Sequence, residues 1–382
     1  MHTKGKAQPV RTWVEVKQSA IAHNYRIFRK LLKKPTKMMG VVKSNAYGHN
    51  LMEYAAALEK LGVDALGVDS LVEGLSLRKS NVKIPILVLG YTLPELFDTA
   101  REANIAVTIS TFESLALAIP KNRSKKPLRV HLKIDTGMHR QGFQPSEIEK
   151  LLLSFKDVPQ SRIGLEGIYT HFAEAKEPRS GTNTREQIAR FEKVLKQFRD
   201  EGYSFTAHAA ATGGTMLYPS AHYDMVRVGI GLYGLWPSKE CEQFLSKKIA
   251  LEPVLSWRAV VSEVKEVKQG ERVGYDFTEM LTRNSRLAII PVGYWHGFPR
   301  MLSSRGRVLV HGKTARVIGR VSMDMIVVDV TDILEAKPGS VATLIGKDKK
   351  EEIKARELAE FAATTHYEIV TRLNPLMRKV YK

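Results

Sequence analysis

The sequence predicts an α/β protein, a (β/α)8 TIM barrel followed by a mostly-β C-terminal domain. Three observations lead there. Eight short apolar runs alternate with helical patterns through the first two-thirds of the chain, the rhythm of parallel strands joined by crossover helices. That stretch is close to the ~250 residues such a barrel usually takes. From about Ala250 the pattern changes to strand-like runs punctuated by turns. An open doubly wound sheet would give the same alternation, but no Gly-x-Gly-x-x-Gly follows the first strand, which weakens its dinucleotide-binding version. We therefore divide the chain into 1–248 and 249–382, and expect the opening strand, about 12–16, to pack on the second part.

Thr12–Val16 opens as a strand, and Ile21, Tyr25, Phe28 and Leu32 recur at helical spacing behind it. The eight barrel strands are read at Lys37–Val42, Ala65–Asp69, Ile86–Gly90, Ala106–Ser110, Arg129–Asp135, Leu165–His171, Thr206–Ala210 and Met225–Tyr233. Helical stretches separate most of them, the longest being Thr184–Asp200, where Ile188, Phe191, Leu195 and Phe198 form one apolar face. Between Ala210 and Met225 there is room for a single helical turn. Beyond the barrel the strand-like runs are Leu255–Val267, Arg286–Gly293, Arg307–Val310, Ala315–Gly319, Met325–Val330 and Val341–Ile345. His311-Gly312-Lys313 and Pro338-Gly339 read as turns, and a helix over Ala355–Ala363 precedes a last strand, Glu368–Leu373.

Composition narrows the class. With 43% hydrophobic and 26% charged residues the chain reads as an ordinary globular protein, and no apolar run approaches the ~18 residues that span a bilayer. Basic residues in Met1–Trp13 have no apolar segment behind them, which argues against a signal peptide. A cytoplasmic protein with no membrane partner is expected. The single cysteine, Cys241, excludes an intrachain disulfide and a multi-cysteine metal site, and no metal is expected. The net charge of +19 would attract anions, membrane surfaces or nucleic acid. The basic residues are spread, however, and the densest tracts, Arg29 to Lys37 and Lys121 to Arg129, fall at expected helix ends and loops without interleaved aromatics. We read a solvated surface and no nucleic-acid partner.

Catalytic groups of such a barrel sit at the C-terminal ends of its strands. Strand one delivers Lys43, strand five Lys133, Asp135 and then Arg140, and strand six His171. After strand seven comes Ala211-Thr212-Gly213-Gly214, and strand eight carries Arg227 followed by Gly229-Ile230-Gly231. Hydroxyl- and glycine-bearing turns let backbone N–H groups approach a phosphate. A strand-end amine can bond an aldehyde. Together with an arginine on a neighbouring strand, these features suit pyridoxal 5′-phosphate. Taken singly each has a plainer reading: a surface lysine, a core histidine, a turn, an arginine paired with some carboxylate.

The segments Val41-Val42-Lys43-Ser44-Asn45-Ala46-Tyr47-Gly48, Lys133-Ile134-Asp135-Thr136-Gly137-Met138-His139-Arg140, Tyr169-Thr170-His171-Phe172-Ala173, Val226-Arg227-Val228-Gly229-Ile230-Gly231-Leu232-Tyr233-Gly234, Val273-Gly274-Tyr275, Val292-Gly293-Tyr294, Gly319-Arg320-Val321-Ser322-Met323-Asp324 and Tyr367-Glu368-Ile369 occur in this order. As a set they resemble the bacterial alanine racemases, fold-type III pyridoxal-phosphate enzymes, over nearly the whole chain. The resemblance implies interconversion of L- and D-alanine for peptidoglycan. Lys43 would hold the cofactor and act as one base. Tyr275 would be the second base, reaching the site from the other subunit of a homodimer. His171 would hydrogen-bond that tyrosine and contact Arg227, which faces the pyridine nitrogen. Tyr47, Thr212, Gly229, Ile230 and Tyr367 would hold the phosphate, and Arg140 and Met323 the substrate carboxylate. Tyr294 with Tyr367 and Met323 would crowd the site and favour a small side chain. Lys133 matches a lysine that many members carry as a carbamate; a plain ion pair is the other reading. A phenol, with an ordinary pKa of ~10, is a poor base at neutral pH, and positive charge on His171 and Arg227 is expected to favour its anion.

Four positions depart from the family's pattern. Ala211 stands for an asparagine, Asp276 for a glycine after the catalytic tyrosine, His296 for an acid, and Lys176 for an acid near the expected entrance. A racemase of broader specificity, accepting serine or basic amino acids, is the nearest alternative. A non-catalytic pyridoxal-phosphate-binding protein would lack the β domain and its tyrosine.

Overall fold

The computed structural model describes residues 10–119, 126–156, 158, 162–179 and 181–382. Residues 1–9, and with them most of the N-terminal stretch, and the first part of the Lys121–Arg129 tract lie outside the described residues. The chain forms two compact units. One comprises Ser19–Ala46 and Leu51–Glu252; the other comprises Met1–Gln18, Tyr47–Asn50 and Pro253–Lys382.

The first unit is a closed parallel barrel of eight strands: β2 (Lys37–Val41), β3 (Ala65–Val68), β4 (Ile86–Val88), β5 (Ala106–Ile109), β6 (Leu128–Lys133), β7 (Ile163–Tyr169), β8 (Thr206–His208) and β9 (Met225–Val228). β9 closes on β2, with Lys37 opposite Met225 and Met39 opposite Arg227. The apolar runs read from the sequence are these strands. Each run extends a residue or more past the hydrogen-bonded segment into the rim, where Asp69, Ser110, Asp135 and His171 stand beyond the last paired residues. The last run, to Tyr233, breaks at Gly229 and continues as a 3-10 turn, Ile230–Tyr233. The interval before it holds a short helix, Thr212–Leu217.

The barrel interior is divided in kind. Met39, Ala65, Leu87, Ala106 and Met225 form an apolar plug, whereas β6 to β9 turn His131, Lys133, Tyr169, His208 and Arg227 into the buried interior. Gly167 lies opposite His131 in the β6–β7 register. A Cβ there would sit 2.1 Å from the imidazole Nδ1, so only glycine leaves room for that ring.

The second unit is built on a sheet in the order β11-β14-β17-β16-β15-β18-β10-β1-β20, with β19 off β18. Here β1 is Thr12–Val16, β10 Leu255–Val260, β11 Glu263–Val267, β14 Ser285–Ile290, β15 Arg307–Val310, β16 Lys313–Ile318, β17 Ile326–Asp329, β18 Val341–Asp348, β19 Glu351–Ile353 and β20 Arg378–Tyr381. A separate ribbon pairs β12 (Arg272–Val273) with β13 (Glu279–Met280). β1 runs antiparallel to β10 and parallel to β20. His311 and Gly312 both take positive φ in the two-residue turn between β15 and β16, as a hairpin of that length requires.

Two expected strands differ in the structure. Glu368–Leu373 is not a strand; His366–Thr371 is helical. The Thr365 hydroxyl accepts from the Tyr367 N–H at 3.1 Å and caps it, while Ile369 and Val370 are buried. A short apolar run of this length fits either periodicity, and the cap decides. The last strand is β20. The expected single run Leu255–Val267 is also two strands, β10 and β11.

Candidate active site

In the barrel unit Lys43 follows the end of β2. Its Nζ donates to Asp69 Oδ1 at 3.1 Å, just past β3. The next four residues, Ser44, Asn45, Ala46 and Tyr47, have φ of 56, 55, 50 and 50°, and Gly48 has φ of 83°, so the chain makes one left-handed turn. Each non-glycine residue in that conformation costs roughly 1–2 kcal/mol. Specific bonds oppose the cost. Ala46 N–H donates to Val42 O at 2.8 Å, Asn45 N–H to Glu73 Oε1 at 3.0 Å, and Leu51 N–H to Asn45 Oδ1 at 2.9 Å.

Arg227 on β9 is buried, with no carboxylate partner among the described residues. Its Nη1 donates to His208 Nδ1 at 2.9 Å. The two N–H groups of its Nη2 serve three acceptors, Thr170 O at 2.7 Å, Ala209 O at 2.9 Å and, through a shared hydrogen, His171 Nδ1 at 3.2 Å. A guanidinium only donates, so both imidazoles accept through Nδ1 and carry their proton on Nε2. His208 Nε2 then donates to His131 Nδ1 at 2.8 Å. Burial, reinforced by Arg227, holds His171 and His208 well below the usual imidazole range, and burial with Arg129 and Arg227 brings His131 to about 3. His171 is thus a neutral, oriented N–H donor, and the positive charge expected on it is absent: desolvation and four nearby cations outweigh any gain from protonation. Burial pulls Arg227 itself down to about 10. The Tyr169 ring stacks on His208 at 4.8 Å.

This aligned file has a measurable consequence. Each of the three histidines has its folded pKa below the unfolded value of ~6.5, so below that pH the unfolded chain binds protons that the folded one does not. Stability is therefore fully present above pH ~6.5 and falls as pH drops, by up to about 1.4 kcal/mol per pH unit for each imidazole. His131→Gln should remove one such contribution. Urea midpoints at pH 7 and pH 5.5 test this, and a variant whose stability falls with acid as steeply as the wild type refutes it.

Lys133, at the end of β6, donates to Gln141 Oε1 at 3.1 Å, and Gln141 Nε2 donates to Ser110 Oγ at 3.3 Å. Its partner is an amide, not the carboxylate of the expected ion pair. Burial, then Arg140 and Arg227, bring its amine to about 8. Burial alone would raise the Asp135 carboxyl, but the N–H groups of Gly137, His139 and Met138 outweigh it and hold it low. Arg140 N–H also donates to this carboxylate, at 3.1 Å, and the loop so wound presents Arg140. Its guanidinium makes no protein hydrogen bond or ion pair among the described residues. Thr212 Oγ1 accepts from Gly229 N–H at 3.1 Å and Gly231 N–H at 3.3 Å, drawing the two expected phosphate turns together beside Ile230. The Ala211 carbonyl caps Thr215.

In the other unit, Tyr275 begins a 3-10 turn, Tyr275–Phe277, and its side chain is 69% exposed. Asp276 pairs with Arg320 Nε at 2.9 Å, which neutralises the charge placed beside that phenol. Tyr294 N–H and Trp295 N–H donate to Ser322 O and Met323 O at 3.1 and 3.0 Å, joining the Tyr294 and Met323 segments. His296 is buried, and its Nδ1 accepts from Gly293 N–H at 3.2 Å; burial keeps it below its usual range. The Tyr47 and Tyr367 rings lie 6.3 Å apart.

Asp69, Glu73, His131, His208, Tyr169 and Gln141 were not singled out from the sequence. His131 had a signal: it stands two residues before Lys133 on a strand, hence on the same face.

A closed barrel with an amine, two arginines and a neutral imidazole at its strand ends, together with a β unit bearing an exposed tyrosine, defines an isomerase acting on an amino acid when set beside known proteins. Residues 16–237 match the alanine racemase N-terminal domain and residues 254–381 the alanine racemase C-terminal domain. The alanine racemase of Carboxydothermus hydrogenoformans is 40% identical over 374 residues, covering 97% of this chain and 99% of that protein. The crystal structure of alanine racemase from Bacillus anthracis with bound L-Ala-P superposes with a TM-score of 0.93 at 32% identity, covering 99% of this chain and 96% of that one. Alanine racemase from Bartonella henselae with covalently bound pyridoxal phosphate gives a TM-score of 0.85 at 28% identity, covering 98% and 100%. The chain belongs to the alanine racemase family.

Proposed function

We propose that the protein interconverts L- and D-alanine with pyridoxal 5′-phosphate by a two-base mechanism, in the cytoplasm, supplying D-alanine for peptidoglycan. The observation that carries this is Lys43, a strand-end amine held by Asp69 on the rim that also bears Arg227 and the Thr212–Gly229 turn. The residues suit the cofactor. Both Nη atoms of Arg227 are engaged by protein, while its Nε–H makes no hydrogen bond among the described residues, so it remains to donate to a pyridine nitrogen. The Thr212 hydroxyl, Gly229, Ile230, Tyr47 and Tyr367 would take the phosphate. When bound, the cofactor supplies the electron sink that makes an amino-acid α-proton removable.

The chain's own groups would then move that proton. Lys43 Nζ takes or returns it on one face, and Tyr275 of the partner subunit on the other. His171 Nε2–H donates to that phenol oxygen and steadies its anion, while the Arg227 guanidinium beside it supplies the positive field. Arg140 receives the substrate carboxylate with the backbone of Met323, and Tyr294 limits side-chain size. The homodimer would share its sites, the barrel part (1–248) binding the cofactor and the part from 249 lending the second base. Exposure of Tyr275, Phe277, Met323 and Met325 in the second unit supports a covered face. An amine near pH 8 at Lys133 is in part neutral at physiological pH, and can take up carbon dioxide as a carbamate, releasing a proton and giving Arg140 an anionic partner.

Chiral analysis of products from a panel of L-amino acids, with cofactor added, tests the reading. D-alanine should form at least about tenfold faster than D-serine or D-lysine, the order of discrimination a few contacts supply. No D-alanine, or equal rates across the panel, would refute alanine as the substrate.

A further inference from the structure

The left-handed turn after Lys43 and the carboxylate that pairs with it are both held by one side chain that no assigned role uses. Glu73 is the third residue of the helix Leu71–Lys79, whose N-cap is Ser70. Its Oε1 accepts from Asn45 N–H at 3.0 Å, inside the turn. Its Oε2 accepts from Asp69 N–H at 2.9 Å, and Asp69 Oδ1 in turn holds Lys43 Nζ at 3.1 Å. One carboxylate therefore spans the rims of two adjacent strands and fixes both neighbours of the amine. Because the turn keeps four consecutive non-glycine residues at positive φ, it relaxes toward ordinary backbone angles once a tether is lost.

We propose that Glu73 is the positioning residue of Lys43, setting where its Nζ stands through Asn45 on one side and Asp69 on the other. The inference rests on Lys43 being the cofactor lysine and base. A carboxylate is required because both partners are N–H donors. Glutamine at this position has one oxygen and one NH2, so it can hold Asn45 or Asp69 but meets the other donor with a donor. Both tethers are charge-assisted bonds, which are the stronger kind.

The test compares Glu73→Gln, nearly isosteric and so expected to fold, with Ser70→Ala, which removes the cap of the same helix but neither tether. Glu73→Gln should lower kcat roughly 10- to 100-fold, the cost of misplacing a reacting group by about an ångström, with KM for alanine nearly unchanged. It should also release pyridoxal phosphate about tenfold more readily on dialysis, read from the absorbance of the retained cofactor, the size of effect expected for one lost charged hydrogen bond. Amide hydrogen exchange should quicken in a peptide spanning residues 43–50. Ser70→Ala should lower Tm and leave kcat and cofactor retention at wild-type values. Wild-type kcat and retention in Glu73→Gln overturn the inference, as does a loss that Ser70→Ala reproduces at equal Tm. Lys43→Ala separates the two levels: if it stays active, the assignment of Lys43 itself has failed, whatever Glu73 does.

Discussion

In deuterated water, Lys43→Ala should abolish α-hydrogen exchange from both isomers of alanine, and Tyr275→Phe should abolish it from one only. The asymmetry follows from the division of work. On the proposed reading Lys43 would both retain the cofactor and act as a base, so its loss would remove the electron sink and one proton acceptor together. A fall of at least about 10³-fold is expected, since groups that act as a unit do not lose activity additively. On the same reading, removing the Tyr275 hydroxyl would leave Lys43 able to take and return a proton on its own face. That isomer should exchange its hydrogen for deuterium while keeping its configuration. Racemisation itself should fall by roughly 10² to 10⁴, the usual contribution of one general base. Mass spectrometry of recovered L- and D-alanine reads both effects. Equal exchange of both isomers by Tyr275→Phe, or unchanged exchange in both variants, sinks the two-base assignment.

Mixing two dead variants should restore activity. If each site takes Lys43 from one chain and Tyr275 from another, a dimer of one Lys43→Ala chain and one Tyr275→Phe chain has one site carrying both defects and one carrying neither. Random reassortment makes half the dimers mixed, so about a quarter of all sites recover, which follows from the two-fold symmetry of a closed dimer. The rise is from near zero, which makes it easy to see after co-refolding or co-expression with two affinity tags. No recovery in verified mixed dimers would mean that each chain completes its own site, and the exposed face around Tyr275 and Met323 would need another occupant.

Much of this was legible from residue order because the barrel strands are buried on both faces and read as plain apolar runs. Lys37–Val41 leads through Val42 to Lys43, and Leu128–Lys133 ends in Lys133 itself, so the run and the polar residue at its end were one signal. Local pattern failed where a single hydrogen bond decides between conformations, as at Thr365, whose cap makes His366–Thr371 a helix. The left-handed turn was hidden for a similar reason: only Asn45 and Gly48 are residue types that favour positive φ, and the tether from Glu73 lies 28 residues from Asn45. The charge state of His171 could not be read at all, since it depends on Arg227, Arg140 and burial acting together. Strand alternation tells which side chains face inward, but not that three imidazoles and a guanidinium would meet in tautomeric order.

The place of β1 in its sheet bears on how the protein leaves the ribosome. Its sheet neighbours are β10 and β20, and the bond from Trp257 to Thr12 crosses 245 residues of chain. At a synthesis rate of ~5–20 residues per second, β1 waits on the order of tens of seconds for its first partner and longer for its second. Meanwhile the intervening barrel can close. Thr12–Val16 therefore emerges as an unpaired strand with both edges bare, and its alternating inward side chains, Thr12, Val14 and Val16, stay uncovered until the C-terminal residues arrive.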